Sequence, residues 1–309
     1  MTRREFCTSI ALSTAAAALS GCSGPESSIG RLEKVWARRG LSEGRLWRPR
    51  AMDVDAAGQV YIVDFTARIQ VFDPEGAFLR GWQTPNFENG KPTGLTIEGD
   101  RLLVADTHYF RVLSYTLDGR LVEEETIGGA EGHGPGEFGF VTDAVRDSSG
   151  AYYVAEYGDY DRVQKFSPER EFILQWGAHG SQPGEFVRPQ NLMVDPQDRI
   201  WVCDACNHRI QVFDASGELL TMWGQEGAAP GMLSYPYDIV MDDEGCLLIL
   251  EHGNYRVQRF TQQGESLGTW GHAGRQPGQL DRPWALCRDR AGRVHVLDTY
   301  NHRVQTIRI

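Results

Sequence analysis

Four groups of side chains in this sequence have the types and spacing that chemistry needs. Cys203-x-x-Cys206 has the spacing of a zinc half-site or a redox dithiol. Eight histidines offer imidazoles for acid-base work or for metal. An acid, an Asn and an Arg recur together, as in Asp204, Asn207 and Arg209. Asp143, Asn191 and Asp238 are small polar residues at the starts of apolar runs. No Gly-x-Ser-x-Gly, His-Glu-x-x-His or phosphate-cradling loop is present.

The thiols read as structural. Cys203 stands where equivalent segments carry Val63, Ala105, Ala155, Leu250 and Leu297, so it is a small core side chain at a strand end. No second Cys pair with ligand spacing exists. His133, His179 and His272 fall in Gly-rich loops, His208 and His302 in Asn-His-Arg turns, and His295 on a strand. The loop and turn imidazoles are expected to be solvated, and no metal set or other cofactor is expected.

The elements that hold these groups are short strands in a long repeat. Pro189 to Gly224 contains four apolar, β-branched runs separated by turn residues, and the register returns at Pro236 and Pro283. An acid closes the second run of every unit, at Asp64, Asp106, Glu156, Asp204, Glu251 and Asp298, at intervals of 42 to 50 residues. An Arg opens the third run at Arg68, Arg111, Arg162, Arg209, Arg256 and Arg303. Six such pairs predict six units, and the interval is that of a four-stranded propeller blade. Across a short hairpin turn the carboxylate faces the guanidinium and pins the register. A feature stamped six times is architecture, because one active site does not need six copies. Asn207, Asn254 and Asn301 lie in three of these turns, where Asn bonds its own backbone.

Gly- and Pro-rich segments such as Gly180…Pro183-Gly184-Glu185-Phe186…Pro189 join the units, with the Phe or Leu tucked beneath. The segment Gln83 to Gly90 departs from this pattern, so a special shape is expected there. Outermost strands end in Trp82, Trp176, Trp223 and Trp270, with Ile127 at the second unit's position. The last unit stops after three strands, and Gly30 to Trp36 has the pattern of the missing fourth. The expectation is an all-β, six-bladed β-propeller of four-stranded blades over residues 30–309, closed by its N-terminal strand. Closure removes two sheet edges that would otherwise template aggregation.

Residues 1–21 read as a signal peptide. Arg3-Arg4 is followed by an Ala-rich run too short to span a bilayer and then by Leu19-Ser20-Gly21-Cys22. The tetrapeptide resembles the lipobox of bacterial lipoproteins, which implies lipidation at Cys22, a tether over residues 22–29, and an exported protein held on the bacterial cell envelope, on its periplasmic or extracellular face. Removing residues 1–21 takes away two Arg and one Glu and moves the net charge from −11 to −12. That balance excludes nucleic acid, which needs a basic face, and leaves membrane attachment to the acyl chains.

The pattern Gly-x-(Ile/Val)-(Tyr/Trp)-Val-x-Asp-x-x-Asn-x-Arg-(Ile/Val)-Gln-x-Phe resembles the NHL repeat, and Asp204 to Phe213 carries it well. NHL propellers include peptide- and protein-binding scaffolds, sensor domains, RNA-binding domains and a lyase acting on peptidyl-hydroxyglycine, so the resemblance implies fold more than activity. That lyase holds zinc with three His, each directly after the Pro that opens an innermost strand. The matching residues here are Arg50, Thr93, Thr142, Gln190, Tyr237 and Trp284, none of them His. The lyase's catalytic Tyr has loose counterparts in Tyr157 and Tyr300. Related sugar-lactone hydrolases hold a divalent metal with Glu, Asn and Asp converging on the channel; that resemblance implies Asn191, Asp143 and Asp238 here, where small polar residues also fit as strand-start packing, and it keeps a metal-dependent lactonase or lyase as the alternative.

The second-to-third-strand turns and the inter-blade loops share the face where innermost strands begin. Arg50, Tyr237 and Trp284 are expected at the channel mouth there, with His108, Tyr109, Tyr157, Tyr160, His252 and Tyr300 around them. Aromatic, His and Arg side chains together suit a binding surface. The expected role is that of a non-enzymatic monomer holding a protein, peptide or cell-envelope ligand. Replacing Trp284 and Tyr237 should then weaken capture without lowering the melting temperature.

Overall fold

The computed structural model describes residues 29–309, so the segments expected to be a signal peptide (1–21) and a lipid-bearing Cys22 lie outside the described residues. Six antiparallel sheets of four strands each are present. Blade one runs Pro49–Val54, Val60–Asp64, Arg68–Phe72 and Phe78–Gln83, from channel to rim, and blades two to five follow the same order. Blade six takes Ala285–Arg288, Arg293–Asp298 and Arg303–Arg308 from the C-terminal end and its outermost strand, Arg31–Trp36, from the N-terminal end. Innermost strands of successive blades touch all the way round, including the sixth against the first. The ring is therefore closed, as the strand pattern of Gly30 to Trp36 predicts.

The apolar core is divided among the six blade-to-blade interfaces, because alternate residues of each strand face opposite neighbours. Trp201, Cys203, Ile210 and Val212 of blade four pack on Ile239, Leu247, Ile249 and Phe260 of blade five, for example. Trp36 plays the same part between blades six and one, against Phe72, Leu46, Leu297 and Val304. The aromatic or aliphatic residue of each inter-blade loop is fully buried at Leu46, Phe138, Phe186, Leu233 and Leu280.

A second contact joins neighbouring blades at the rim. A Cβ added to Gly76, Gly119, Gly217 or Gly264 would come within 3.0 Å of the Trp36, Trp82, Trp176 or Trp223 ring of the preceding blade. All four glycines sit in third-to-fourth-strand turns at positive φ, between 78° and 98°. Each indole thus lies flat on a backbone that has no side chain to hold it off.

The acid–Arg pairs do what their spacing predicts, and more. Arg209 donates to Asp204 Oδ2 (2.7 Å) and to the carbonyls of Ser181 (2.8 Å), Gln182 (2.9 Å) and Glu185 (2.7 Å) in the inter-blade loop. Gln211 extends the knot, giving its amide to Glu185 O (2.7 Å) and accepting from Gly184 N (2.9 Å). Asn207 corrects the sequence expectation: it donates to Asp204 Oδ2 and to Gly180 O (both 2.9 Å), bonding a different segment from its own turn. The residue before each of these arginines, including Phe110, His208 and His302, has positive φ. That strain is offset by the knot it helps to aim.

Two of the turn histidines are also not solvated. His208 is buried, and its Nδ1 accepts Tyr235 N (3.2 Å), while His302 Nδ1 accepts Arg48 N (2.9 Å). Both imidazoles cap the backbone of the neighbouring inter-blade loop.

Candidate functional site at the channel mouth

The six residues that follow the strand-opening Pro register, Arg50, Thr93, Thr142, Gln190, Tyr237 and Trp284, all line one central cavity of about 240 Å³. Their placement has a backbone cause. The pairing of first with second strand slips at Arg50, at Thr142, at Gln190 and Asn191, and at Tyr237. A bulged residue loses its ladder partner and its side chain is re-aimed. Here it is re-aimed at the mouth of the channel.

Deeper in the channel three carboxylates couple blades in pairs. Asp53 Oδ2 accepts Ile97 N (2.7 Å), Asp143 Oδ2 accepts Leu192 N (3.0 Å), and Asp238 Oδ2 accepts Leu286 N (2.8 Å). Burial raises all three acids, Asp53 to about 7, Asp143 to about 6 and Asp238 well above the ordinary carboxylate range. Backbone N–H donors oppose the rise, while Glu98 adds to it at Asp53 and Asp143, and Asp143 adds to it at Asp53 and Asp238. The lactonase-like set is largely committed within the protein, although Asn191 Oδ1 is buried without a partner. Asn191 spends its Nδ2 on Asp143 Oδ2 (3.0 Å), Thr96 takes Asp143 Oδ1 (2.9 Å), and both Asp238 oxygens accept backbone N–H groups. Among the described residues no group of three or more His, Cys, Asp or Glu converges as metal ligands.

At the mouth the structure brings the seven predicted residues together. Tyr237 stacks on His252 (4.4 Å between centroids) and lies 5.8 Å from Trp284, which is 6.1 Å from His252. The Arg50 guanidinium lies 5.2 Å from the Trp284 ring centre. His108 packs edge-on to Phe140 (5.1 Å), and Phe140 packs on Tyr157 (5.3 Å). Tyr300 lies under Arg48 and Arg282, at 5.2 and 5.0 Å. Tyr109 and Tyr160 point elsewhere, to Asn89 N and to His133 in the inter-blade loops. Tyr237 is only 8% exposed, so it forms the floor of the bowl, and the expectation that its replacement spares stability is corrected.

Burial lowers the titration of His108 and of His252 and keeps both imidazoles neutral at pH 7, with nearby Arg charges adding to the effect. His252 Nδ1 lies 3.2 Å from Pro283 O, which fixes the proton there and leaves Nε2 as the acceptor.

Three participants were missed from the sequence. Arg188 lies over Tyr157 (4.9 Å) and Tyr237 (5.8 Å), Phe65 lies under Arg50 (4.7 Å), and Phe140 bridges His108 and Tyr157. A signal for Arg188 existed. Arg precedes the strand-opening Pro at Arg48, Arg188 and Arg282, and each has positive φ (47°, 60° and 46°). A residue ahead of Pro is already restricted, so the left-handed backbone at these three arginines, shared by Tyr235 ahead of Pro236 (φ 50°), is a strained feature of the repeat.

Comparison with known proteins places this geometry. The NHL repeat model matches residues 186–213 and 280–307. Peptidylglycine alpha-amidating monooxygenase of Rattus norvegicus is 37% identical over 71 residues, which is 21% of this chain and 7% of the relative. Peptidyl-glycine alpha-amidating monooxygenase A of Xenopus laevis is 38% identical over 71 residues, again 21% of this chain and 8% of the relative. Among solved structures, a streptogramin B lyase superposes with a TM-score of 0.64 at 13% identity, covering 91% of this chain and 99% of that one. A catalytically inactive virginiamycin B lyase from Staphylococcus aureus with quinupristin gives 0.60 at 14%, covering 91% and 100%. A protein of unknown function from Bacteroides thetaiotaomicron gives 0.69 at 14%, covering 91% and 76%. At these identities the structural likeness shows the fold, a six-bladed propeller carrying NHL repeats.

Proposed function

We propose that this propeller is a binding module whose ligand, a protein, peptide or cell-envelope component, seats on the bowl at the channel mouth. One observation carries the reading. Side chains from separate blades, most of them fixed by bulges or strained turns, converge on one aromatic and basic concavity, and the rest of the fold needs no such convergence. Aromatic and Arg side chains with restricted rotamers lose little entropy on contact, which is why binding surfaces use them. On this reading the protein works as a monomer, tied to the envelope through lipid on Cys22.

Affinity capture from the native envelope tests this, with the wild-type chain beside Trp284→Ala and Tyr300→Ala. Both positions are partly exposed. The variants should keep the far-ultraviolet spectrum and lose the captured partner. Undiminished capture by both variants would move the site off this face.

A second reading, an enzyme working without a metal in the bowl, has His252 in its favour. A buried neutral imidazole with a fixed tautomer and a free Nε2 is suited to general base work. The solved lyases of like fold are compatible with that role. It predicts turnover of peptide or lactone probes that His252→Gln abolishes while leaving binding intact; binding without turnover in the wild-type chain would leave the scaffold reading alone.

A further inference from the structure

Many of the arginines among the described residues have a carboxylate partner. Each acid–Arg knot pairs its guanidinium, from Arg68 with Asp64 to Arg303 with Asp298, and Arg101, Arg199, Arg259, Arg288, Arg293 and Arg308 are paired as well. Arg50 and Arg188 are different. Among the described residues neither has an acid within salt-bridge distance, although the chain carries 42 Asp and Glu against 31 Lys and Arg. Arg48 and Arg282, over Tyr300 at the same mouth, have none either, so a chain with a net charge of −11 carries a cluster of unneutralised guanidinium groups on one rim.

The heads of Arg50 and Arg188 are held ready. Arg188 Nε donates to Gln190 Oε1 (3.0 Å), which fixes the guanidinium on the Tyr157 and Tyr237 rings and leaves its two terminal nitrogens uncommitted. Arg50 is sandwiched between Phe65 and Trp284, and only Nη1 has a protein acceptor, Lys91 O at a long 3.4 Å. Arg50 Nε and Trp284 Nε1 are both buried without a partner. A buried orphan donor costs about 1–3 kcal/mol, so two adjacent ones are not an economical resting arrangement. Their complement is an acceptor group with two oxygens, and a guanidinium stacked on a ring presents its N–H edge for that purpose.

The channel floor selects among anions. Asp53 and Asp238 line the same channel and Asp143 is bonded to Asn191, which lines it too, so a doubly charged ligand would sit over these acids unfavourably whenever they ionise. We infer that the bowl recognises a carboxylate attached to an aromatic or apolar body, with Arg50 and Arg188 gripping the carboxylate and Tyr157, Tyr237 and Trp284 taking the body. This deepens the binding reading above and rests on it.

The probes are N-acetyl-phenylalanine, its C-terminal amide, benzoate and inorganic phosphate, titrated calorimetrically into the full chain. N-acetyl-phenylalanine should bind at least tenfold tighter than the amide, with phosphate weaker than either acid. Arg50→Gln and Arg188→Gln should each remove most of the acid-over-amide preference and leave amide binding and the melting temperature in place. Arg50→Lys, which keeps the charge and loses the fork, should recover only part of it. Benzoate matching N-acetyl-phenylalanine identifies a general aromatic acid site, and benzoate tenfold weaker identifies a peptide terminus; both support the carboxylate. Equal binding of acid and amide overturns the anion inference and leaves the bowl reading standing. Phosphate binding as tightly as the acids overturns the choice of carboxylate. No binding by any probe, with capture also unaffected in Trp284→Ala, overturns both.

Discussion

The rim contact between indole and glycine can be isolated by comparing two glycines. Gly217 and Gly184 have almost the same φ, 82° and 83°, so alanine at either suffers the same left-handed strain of about 1–2 kcal/mol. They differ in what the new methyl meets. At Gly184 nothing lies within 4 Å, whereas at Gly217 the methyl would stand 2.8 Å from Trp176 Cε3 and 2.9 Å from Cδ2. The indole has little room to retreat, because it is packed against Phe213 at 5.7 Å and Tyr153 at 6.1 Å. Overpacking of that kind adds about 1–3 kcal/mol. Gly217→Ala should therefore destabilise by about 2–5 kcal/mol and Gly184→Ala by about 1–2 kcal/mol. Urea unfolding followed by circular dichroism measures both. In a Trp176→Leu background the excess at Gly217 should vanish, giving a coupling of about 1–3 kcal/mol between two residues of neighbouring blades. Equal shifts for the two alanine variants, or an excess that survives removal of the indole, would refute the contact.

Three further outcomes follow from the ring and the channel. Asp53 has its folded pKa raised to about 7, so the stability it contributes is complete below the unfolded value near 4 and is lost as pH rises through 7. Between pH 5 and pH 8 that is a loss of about 2–3 kcal/mol, and Asp53→Asn should remove it from the slope of unfolding free energy against pH; an unchanged slope would show that Asp53 titrates normally. Trp36→Ala should cost about 3–5 kcal/mol, since the ring is buried between blades six and one and its Nε1 donates to Thr306 Oγ1 (3.0 Å). Deleting residues 30–36 should be worse, exposing Arg303–Arg308 as a free edge, and a deletion variant that melts like the full chain would contradict closure by that strand.

What could be read from the sequence was whatever the repeat prints more than once. Six acid–Arg pairs gave the blade number, and the Gly-x-Leu…Trp likeness of residues 30–36 gave the closing strand, because each unit supplies an independent reading of the same interaction. Arg50, Tyr237 and Trp284 were found by counting from a Pro, a position the fold keeps constant while its residue type varies. The rest needed three dimensions. Asn207 was assigned to its own turn because local bonding is the default for Asn, whereas the inter-blade loop that supplies Gly180 O lies 27 residues away. Arg188 escaped notice because its backbone is strained into a direction that a residue before Pro seldom takes. The upward shift of Asp53 came from burial within the closed ring, which no one blade's sequence shows.

The second blade shows how such a relation is stored. Its outer strand carries Ile127 where the others carry Trp, and the facing turn of blade three carries Arg170 where the others carry Gly. Neither departure is informative alone, since a missing Trp and a non-Gly turn residue at φ 70° each look like drift. Together they are one exchange. With no indole to lie on the turn, a side chain fits there, and Arg170 reaches Glu125 (3.3 Å) and covers Tyr152 (5.5 Å), replacing an apolar contact by a charged and aromatic one. Restoring Trp at 127 would bring an indole onto a turn that already carries a side chain, and glycine at 170 would leave Glu125 without one of its two arginines. The interface between blades two and three has thus moved as a unit to a different solution. It is also the interface at which His108 of blade two meets Phe140 of blade three, so the side of the bowl that departs most from the repeat is built on the seam that does the same.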